Sequence, residues 1–387
     1  MLFFLIDKQK TKHYNKNSEV NPEESEAYKL RRKIGILTAG GDCPGLNAAI
    51  RGVAKASYER FDVEFIGIAD GYRGLIEGDY RTMGQSEFSG ILTLGGTILG
   101  TSRRPYRNMQ VIEEDNVDKV ALMKSNYMRM GLDCLVTLGG NGTHKTANLL
   151  SEEGLNVIAL PKTIDNDIYG TDVTFGFHTA VDIATDVVDR IHTTANSHGR
   201  VMVIELMGNK AGWLTLYAGI AGGADIILLP EMPYSLDSVI ASIEKRIENR
   251  HRFTIIVVAE GAYDKTMAKM KNKERIQFLK EKNFPTISYY LASEIEQKTG
   301  LETRVVIPGH YLRGGNPSPY DRVLSTQFGS YAARLIEKGQ YGQTVAMVNG
   351  KISSNPLKVA ASQSKFVPKD HQMIKCGNDI GVSFGQE

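Results

Sequence analysis

Lys162, Thr163, Asp165, Asn166 and Asp167 fall within one short stretch, LPKTIDND, from Leu160 to Asp167. Two carboxylates two positions apart, close to an ammonium, can divide the work of a proton transfer. One takes the proton and the other sits near a metal ion. The same residues could equally form an Asx-rich turn, because Asp and Asn fold back onto their own backbone. Val157 to Leu160, just before them, is a short apolar run that reads as a buried strand. Pro161 then ends the strand's hydrogen bonding. Polar groups just past a strand end lie where open α/β sheets bind ligands.

Three other stretches carry glycine-rich or polar loops. KIGILTAGGDCPGLNAAIRGVAKAS, Lys33 to Ser57, reads as a strand over Ile34–Thr38, a glycine turn and a helix over Asn47–Ser57. Gly40 and Gly41 allow close backbone approach, and the turn offers N–H groups and a helix end to a phosphate. It carries neither G-K-[ST] nor G-x-G-x-x-G, so a plain βα turn fits it as well. GGTILGTSRRPY, Gly95 to Tyr106, sets Ser102, Arg103 and Arg104 after glycines. Guanidinium groups pair bidentately with phosphate, although a solvated basic loop would look the same. Leu132 to Leu138 is a strand followed by GGNGTHKTANLL, Gly139 to Leu150. Asn141, Gly142 and Thr143 would face the same ligand, while His144 and Lys145 are expected on an exposed first helical turn. Several such loops at strand ends point to one concave site.

The elements behind these loops alternate along the chain. Val63 to Ala69 is a strand ending in DGYRGL, Asp70 to Leu75. Phe177 to Thr194 is an amphipathic helix with His178 and His192 on its partly exposed faces. Val201 to Leu206 is a strand that Arg200 precedes and MGNKAGW follows, with Asn209 and Lys210 in that loop. Ala224 to Leu229 is a strand ending at Pro230 and Glu231, and Ser235 caps a helix running to Arg250. Phe253 to Ala259 is a strand ending at Glu260 and Gly261. Lys265 to Lys282 reads as a solvated helix face. Thr303 to Arg322 gathers Arg304, His310 and Arg313, a set suited to a sugar phosphate. Val323 to Lys338 is a helix, and the tail from Pro368 is a loop or short helix.

Composition narrows the class. A chain of 387 residues carries about two domains. Hydrophobic content of 42 % and charged content of 23 % are those of a soluble globular protein. A net charge of +2 makes no field for nucleic acid. Cys43, Cys134 and Cys376 are far apart and lack C-x-x-C spacing, so neither a disulfide framework nor a zinc site is expected. A reducing, cytoplasmic setting follows. No apolar run reaches membrane-spanning length, and MLFFLID is too short for a signal segment. Residues 1–32 read as an N-terminal extension.

Alternating strands and helices imply an α/β protein of two doubly wound, mostly parallel sheet domains, with the active site in the cleft between them.

GGDCPGLNAAIRG, GGTILGTSRR, GGNGT, PKTIDND, MGNKAGW, GGAD with PE, and GHYLRGG with PYDR occur in this order. From about Lys33 to Gly339 the chain resembles the bacterial-type phosphofructokinases, which phosphorylate fructose 6-phosphate at its 1-hydroxyl. The resemblance implies Asp165 as general base, Thr163 against the transferring phosphoryl group, and Asp167 beside Mg²⁺. Gly41, Arg103, Arg104, Gly142 and Thr143 match donor-phosphate positions and Tyr72 a nucleotide-side position; Asn141 and Lys162 join the donor set. Arg200, Met207, Gly208, Asn209, Glu231, Arg304, His310 and Arg313 match the sugar-phosphate site, together with Thr163 and Asp165. Arg200 and Arg304 would come from a neighbouring subunit, which implies a homodimer or homotetramer. The resemblance also implies the division into a larger donor-binding domain, 33–176 plus 312–362, and a smaller sugar-phosphate-binding domain, 177–311 plus 363–387.

Two positions depart from the family pattern. Asn141 stands where a magnesium-holding Asp is usual, leaving the metal to Asn141, Asp167 and the phosphates. Asn209 stands where an Arg usually follows Met-Gly, with Lys210 beside it. Family members use ATP or pyrophosphate. Pyrophosphate users typically carry Asp at the Gly142 position and Lys at the Lys162 position, whereas ATP users typically carry Gly at both. Glycine at 142 leaves room for an α-phosphate, so ATP is the expected donor and pyrophosphate the alternative. A non-catalytic sugar-phosphate-binding regulatory subunit is a minor alternative, resting on Asn141 and Asn209.

Overall fold

The structure, a computed structural model, describes residues 31–103, 106–110 and 118–386. Most of the expected N-terminal extension, and Arg104, lie outside the described residues. The strands are β1 (Arg32–Ala39), β2 (Val63–Ile68), β3 (Tyr80–Met83), β4 (Cys134–Gly139), β5 (Val157–Pro161), β6 (Val201–Leu206), β7 (Ile226–Leu228), β8 (Thr254–Ala259), β9 (Thr303–Val306), β10 (Gln343–Val348) and β11 (Lys351–Pro356). The helices are α1 (Leu46–Tyr58), α2 (Tyr72–Glu77), α3 (Lys119–Met130), α4 (Asn141–Glu152), α5 (Phe177–His198), α6 (Trp213–Ala221), α7 (Leu236–Glu248), α8 (Asn272–Glu281), α9 (Ile287–Thr299), α10 (Pro319–Glu337), α11 (Leu357–Ser362) and α12 (Gln372–Asp379).

Two sheets result. The larger runs β11-β10-β5-β4-β1-β2-β3 and the smaller β7-β8-β6-β9. Every pairing is parallel except β2 with β3 and β10 with β11, at the two edges of the larger sheet. The expected architecture is therefore present. At the β10–β11 edge the reason is a short connection, since Asn349 and Gly350 alone join the two strands and leave no room for a crossover helix.

The apolar runs are buried on both faces, and the alternation of side chains along each strand sorts them into separate cores. On β4, Cys134, Val136 and Leu138 face one core while Leu135 faces another. On β8, Ile255 and Val257 join the first core, while Ile256 and Val258 face a third. The first core is common to both sheets and includes Phe177, Val181 and Leu214 of α5 and α6. Their apolar faces join the two sheets, so the loops at the strand ends meet across one cleft.

The chain returns to the larger sheet through α10, β10 and β11. Helix α10 packs closely on α1 because glycines meet there. A Cβ on Gly52 would lie 3.0 Å from the Thr326 carbonyl oxygen, and one on Gly329 would lie 2.6 Å from that of Ala49. This seating brings Arg313, just before α10, over the loop after β1. Ser235 caps α7 as expected, its hydroxyl accepting from the Ser238 N–H.

Candidate active site

The loops at the ends of β1, β4 and β5 from the larger sheet, and of β6 and β8 from the smaller, enclose a cavity of about 950 Å³. Gly41, Tyr72, Arg103, Asn141, Gly142, Thr143, Lys162, Thr163, Asp165, Asp167, Met207, Asn209 and Arg313 line it together. The catalytic candidates and most of the donor candidates therefore share one space.

Its anion-facing wall is built from strand ends. The turn after β1 needs Gly40 in the left-handed region, φ 87°, which glycine adopts without steric cost. Beside it, a methyl on Gly41 would lie 2.8 Å from Arg313 Nη1 and 2.9 Å from Arg103 Nη2. Two guanidinium groups thus converge where the backbone is bare. Lys162 joins them: it is buried and its Nζ donates to the Gly41 carbonyl. Burial pushes the Lys162 ammonium down from its usual range. Helix α4 starts at Asn141 on a Gly140 cap without a side-chain bond, so its first N–H groups point to the cavity unanswered. The buried Tyr72 donates its hydroxyl to the Thr143 carbonyl at 2.9 Å and braces this helix start.

The loop after β5 carries the carboxylates. Asp165 N–H donates to Thr163 Oγ1 at 3.0 Å, while Thr174 Oγ1 donates to the Thr163 carbonyl at 2.7 Å. Asn166 takes φ 50°, a left-handed conformation that asparagine tolerates better than most. Its Oδ1 accepts the Thr174 N–H at 3.1 Å. Asp165 Oδ1 is buried without a hydrogen-bond partner among the described residues. Burial first and the Asp167 charge second raise the Asp165 carboxyl to about 7, against the downward pull of Arg313 and Lys162. The Asp167 carboxyl is raised too, by burial first. Asn141 Nδ2 donates to Asp167 Oδ2 at 2.6 Å, leaving Asn141 Oδ1 buried and without a partner.

These atoms suit a magnesium ion brought in with phosphates. No group of three or more His, Cys, Asp and Glu that could hold a metal occurs among the described residues. Mg²⁺ binds through one or two carboxylates plus phosphate oxygens rather than an all-protein cage. The Asp167 carboxylate and the bare Asn141 amide oxygen match that donor set.

Other sequence candidates lie elsewhere. Arg200 Nε pairs with Glu302 at 2.8 Å, and Arg304 pairs with the same carboxylate, outside the cavity of their own chain. His310 is exposed and Gly208 is buried, and neither borders the cavity. Glu231 does not border the cavity either: its Oε1 accepts the N–H groups of Gly212 at 2.9 Å and Val367 at 3.0 Å. That oxygen braces two backbones, while Oε2 is buried without a partner among the described residues. Glu260, at the end of the neighbouring strand β8, lines the cavity and accepts the N–H of Asn209 at 2.6 Å. The strand-end rule that drew attention to Asp165 applied to it equally.

Two further readings change. His144 is fully buried, its Nε2 at 2.9 Å from Thr344 Oγ1 and Nδ1 at 3.1 Å from the Gly140 carbonyl. Burial lowers its pKa to about 4. The run 265–282 is a short 3-10 turn and α8, and Asn272, Arg275 and Ile276 of α8 border the cavity. The Arg275 guanidinium lies 3.4 Å from the centre of the Tyr263 ring.

Comparison with known proteins gives consistent matches. A family model described as "Phosphofructokinase" matches residues 33–336. An "ATP-dependent 6-phosphofructokinase" of Spirochaeta thermophila is 56 % identical over 357 residues, 92 % of this chain and 98 % of that protein. An "ATP-dependent 6-phosphofructokinase 3" of Bacteroides thetaiotaomicron is 47 % identical over 91 % of this chain and 100 % of that protein. Phosphofructokinase from Saccharomyces cerevisiae superposes with a TM-score of 0.73 at 29 % identity, covering 86 % of this chain and 45 % of that one. The pyrophosphate-dependent phosphofructokinase of Nitrosospira multiformis superposes at 0.75 with 17 % identity, covering 91 % of this chain and 92 % of that one, a likeness of fold.

Proposed function

The chain belongs to the phosphofructokinase family, and from that premise we propose that its cavity transfers the γ-phosphoryl group of ATP to the 1-hydroxyl of fructose 6-phosphate. Relatives at 56 % and 47 % identity that are named ATP-dependent 6-phosphofructokinases support both donor and acceptor. The product is fructose 1,6-bisphosphate, and the reaction is a step of glycolysis.

Asp165 is the general base. The observation that carries this role is its Oδ1, buried at the cavity with no partner of its own. Phosphoryl transfer demands alignment and charge neutralisation more than covalent help. Lys162, Arg103 and Arg313 supply fixed positive charge, while Gly41, Gly142, Thr143 and the start of α4 cradle the donor phosphates. Thr163 sits against the transferring group and Tyr72 on the nucleotide side. Asp167 and Asn141 would hold Mg²⁺, which when bound neutralises phosphate charge.

Met207, Gly208, Asn209, His310 and Arg313 form the sugar side, and Glu260 joins them because it lines the same cavity and its charge acts on the Asp165 carboxyl. Arg200 and Arg304 complete a neighbouring subunit's site in a homodimer or homotetramer. Their place outside their own cavity supports that reading. The division into 33–176 plus 312–362 and 177–311 plus 363–387 is supported by β10 and β11 joining the larger sheet and by the bridge from Ser383 to Ile226 of the smaller. No helix among the described residues is long and apolar enough to cross a membrane; the cytoplasmic setting we propose rests on the glycolytic reaction.

Coupled assays with ATP and with pyrophosphate test the reading. Turnover with ATP is expected. Turnover with pyrophosphate alone, which the buried Lys162 beside the phosphate wall would favour, overturns the donor. Turnover with neither overturns the enzyme in favour of a sugar-phosphate-binding regulatory subunit.

A further inference from the structure

Residues 364–367 cross from one side of the cleft to the other. Lys365 Nζ donates to Asn166 Oδ1 at 3.0 Å and to the carbonyls of Thr171 and Asp172 at 2.9 Å each. The Lys365 N–H donates to the Asp167 carbonyl at 2.7 Å. Beside it, Ser364 Oγ accepts from Asn141 Nδ2 at 3.2 Å. The other side of the strap holds the smaller sheet's loops. Trp213 Nε1 donates to the Lys365 carbonyl at 3.1 Å, and the ammonium stands 5.3 Å from the centre of that indole. Val367 N–H reaches Glu231, which also takes the Gly212 N–H at the start of α6.

Lys365 does not border the cavity. It acts on Asn166, the residue between the two carboxylates, which holds φ 50°. Such a conformation persists when its surroundings over-determine it. The Asn166 side chain is fixed by the Thr174 N–H and by the Lys365 ammonium. Releasing Asn166 would turn the peptide planes that aim Asp165 and Asp167. An ammonium suits this place because it has three donors and no acceptor, and here three oxygens meet it.

Given the kinase reading above, we propose that Lys365 is a positioning residue for phosphoryl transfer, locking the Asp165–Asn166–Asp167 loop and tying it through Trp213 and Glu231 to the sugar side of the cleft. Its removal acts on alignment during the reaction and leaves the sugar-contacting groups in place. A misplacement of about 1 Å costs up to about 10²-fold in rate.

The test is steady-state kinetics of the full chain and of Lys365→Met with ATP and fructose 6-phosphate, with calorimetric binding of fructose 6-phosphate and thermal unfolding alongside. We expect kcat to fall about 10- to 100-fold while KM and Kd for fructose 6-phosphate stay within about threefold. Lys365→Gln, which keeps two amide donors, should recover part of kcat, and it carries the test if the methionine variant fails to fold. A folded variant with kcat within twofold of the parent overturns the proposal. So does a fall in kcat accompanied by an equal loss of sugar-phosphate affinity, which marks a structural role only. Absence of turnover in the parent chain overturns the kinase reading and this proposal with it. That result is distinct from a parent that works and a variant that matches it.

Discussion

Asp165 sits where its own charge is disfavoured, and this has two measurable consequences. Its carboxyl is raised from 3.8 to about 7 by burial first and by Asp167 second. A base with a pKa near the working pH combines availability with proton affinity. kcat/KM for fructose 6-phosphate should therefore fall about tenfold per unit below pH 7 and level off above it; a profile flat down to pH 5 would contradict this. The same shift acts on stability. The folded pKa lies above the unfolded one, so the native state binds more protons between about pH 4 and 7. The group thus contributes most to stability below pH 4, and that contribution is lost as pH rises through 7. Asp165→Asn removes the buried charge, and its Tm at pH 8 should exceed the parent's by on the order of 2 °C. At pH 4 the two should converge, and a lower Tm at pH 8 would count against the account. Asn141 allows a metal test. Asn141→Asp adds a carboxylate 2.6 Å from Asp167 Oδ2. Half-saturating Mg²⁺ should fall several-fold, since ligand charge tunes such sites. Tm without metal should fall too, because two like charges then meet.

At the scale of elements, the proposed function assigns the choice of donor to the start of α4. A Cβ on Gly142 would meet nothing within 4 Å, so Gly142→Asp keeps the fold and projects a carboxylate near the donor phosphates. KM for ATP should rise at least about tenfold, the weight of one repulsive contact of about 1.4 kcal/mol, with Tm unchanged. An unaltered KM would remove Gly142 from the donor site. Much of this architecture was legible in the chain, because strand ends and glycine turns are local signals. The strand read over Val201–Leu206 has those same bounds, and the polar loop after Val157–Leu160 does line the cavity. What escaped depends on distant partners. His144 looked like an exposed first-turn residue because Thr344, which covers it, lies on β10, a strand not anticipated. Glu231 and Glu260 both end strands of the smaller sheet, and nothing local separates the one that braces backbones from the one that faces the cleft. Helix α8 buries no residue of its own, so its sequence reads as solvent-facing although one side borders the cavity. Lys365 contacts oxygens of residues 166, 171 and 172, a relation no periodicity reveals.

The whole molecule brings two sheets together through α5 and α6, so groups from both stand across one cleft. Arg200 and Arg304 face away from it, which makes the assembly testable. Arg304→Ala and Asp165→Asn should each be nearly inactive alone. Mixed subunits that exchange freely should recover up to about a quarter of parental activity: half the pairs are hybrid, and each hybrid pair has one intact site. No recovery after demonstrated exchange would place Arg304 outside a shared site. The most direct measurement is the turnover of Asp165→Asn with ATP and fructose 6-phosphate, with sugar-phosphate binding followed in parallel. Loss of a positioned base predicts a fall in kcat of about 10²–10⁴ with binding retained, whereas a kcat within tenfold of the parent would contradict the assignment of Asp165 as the base.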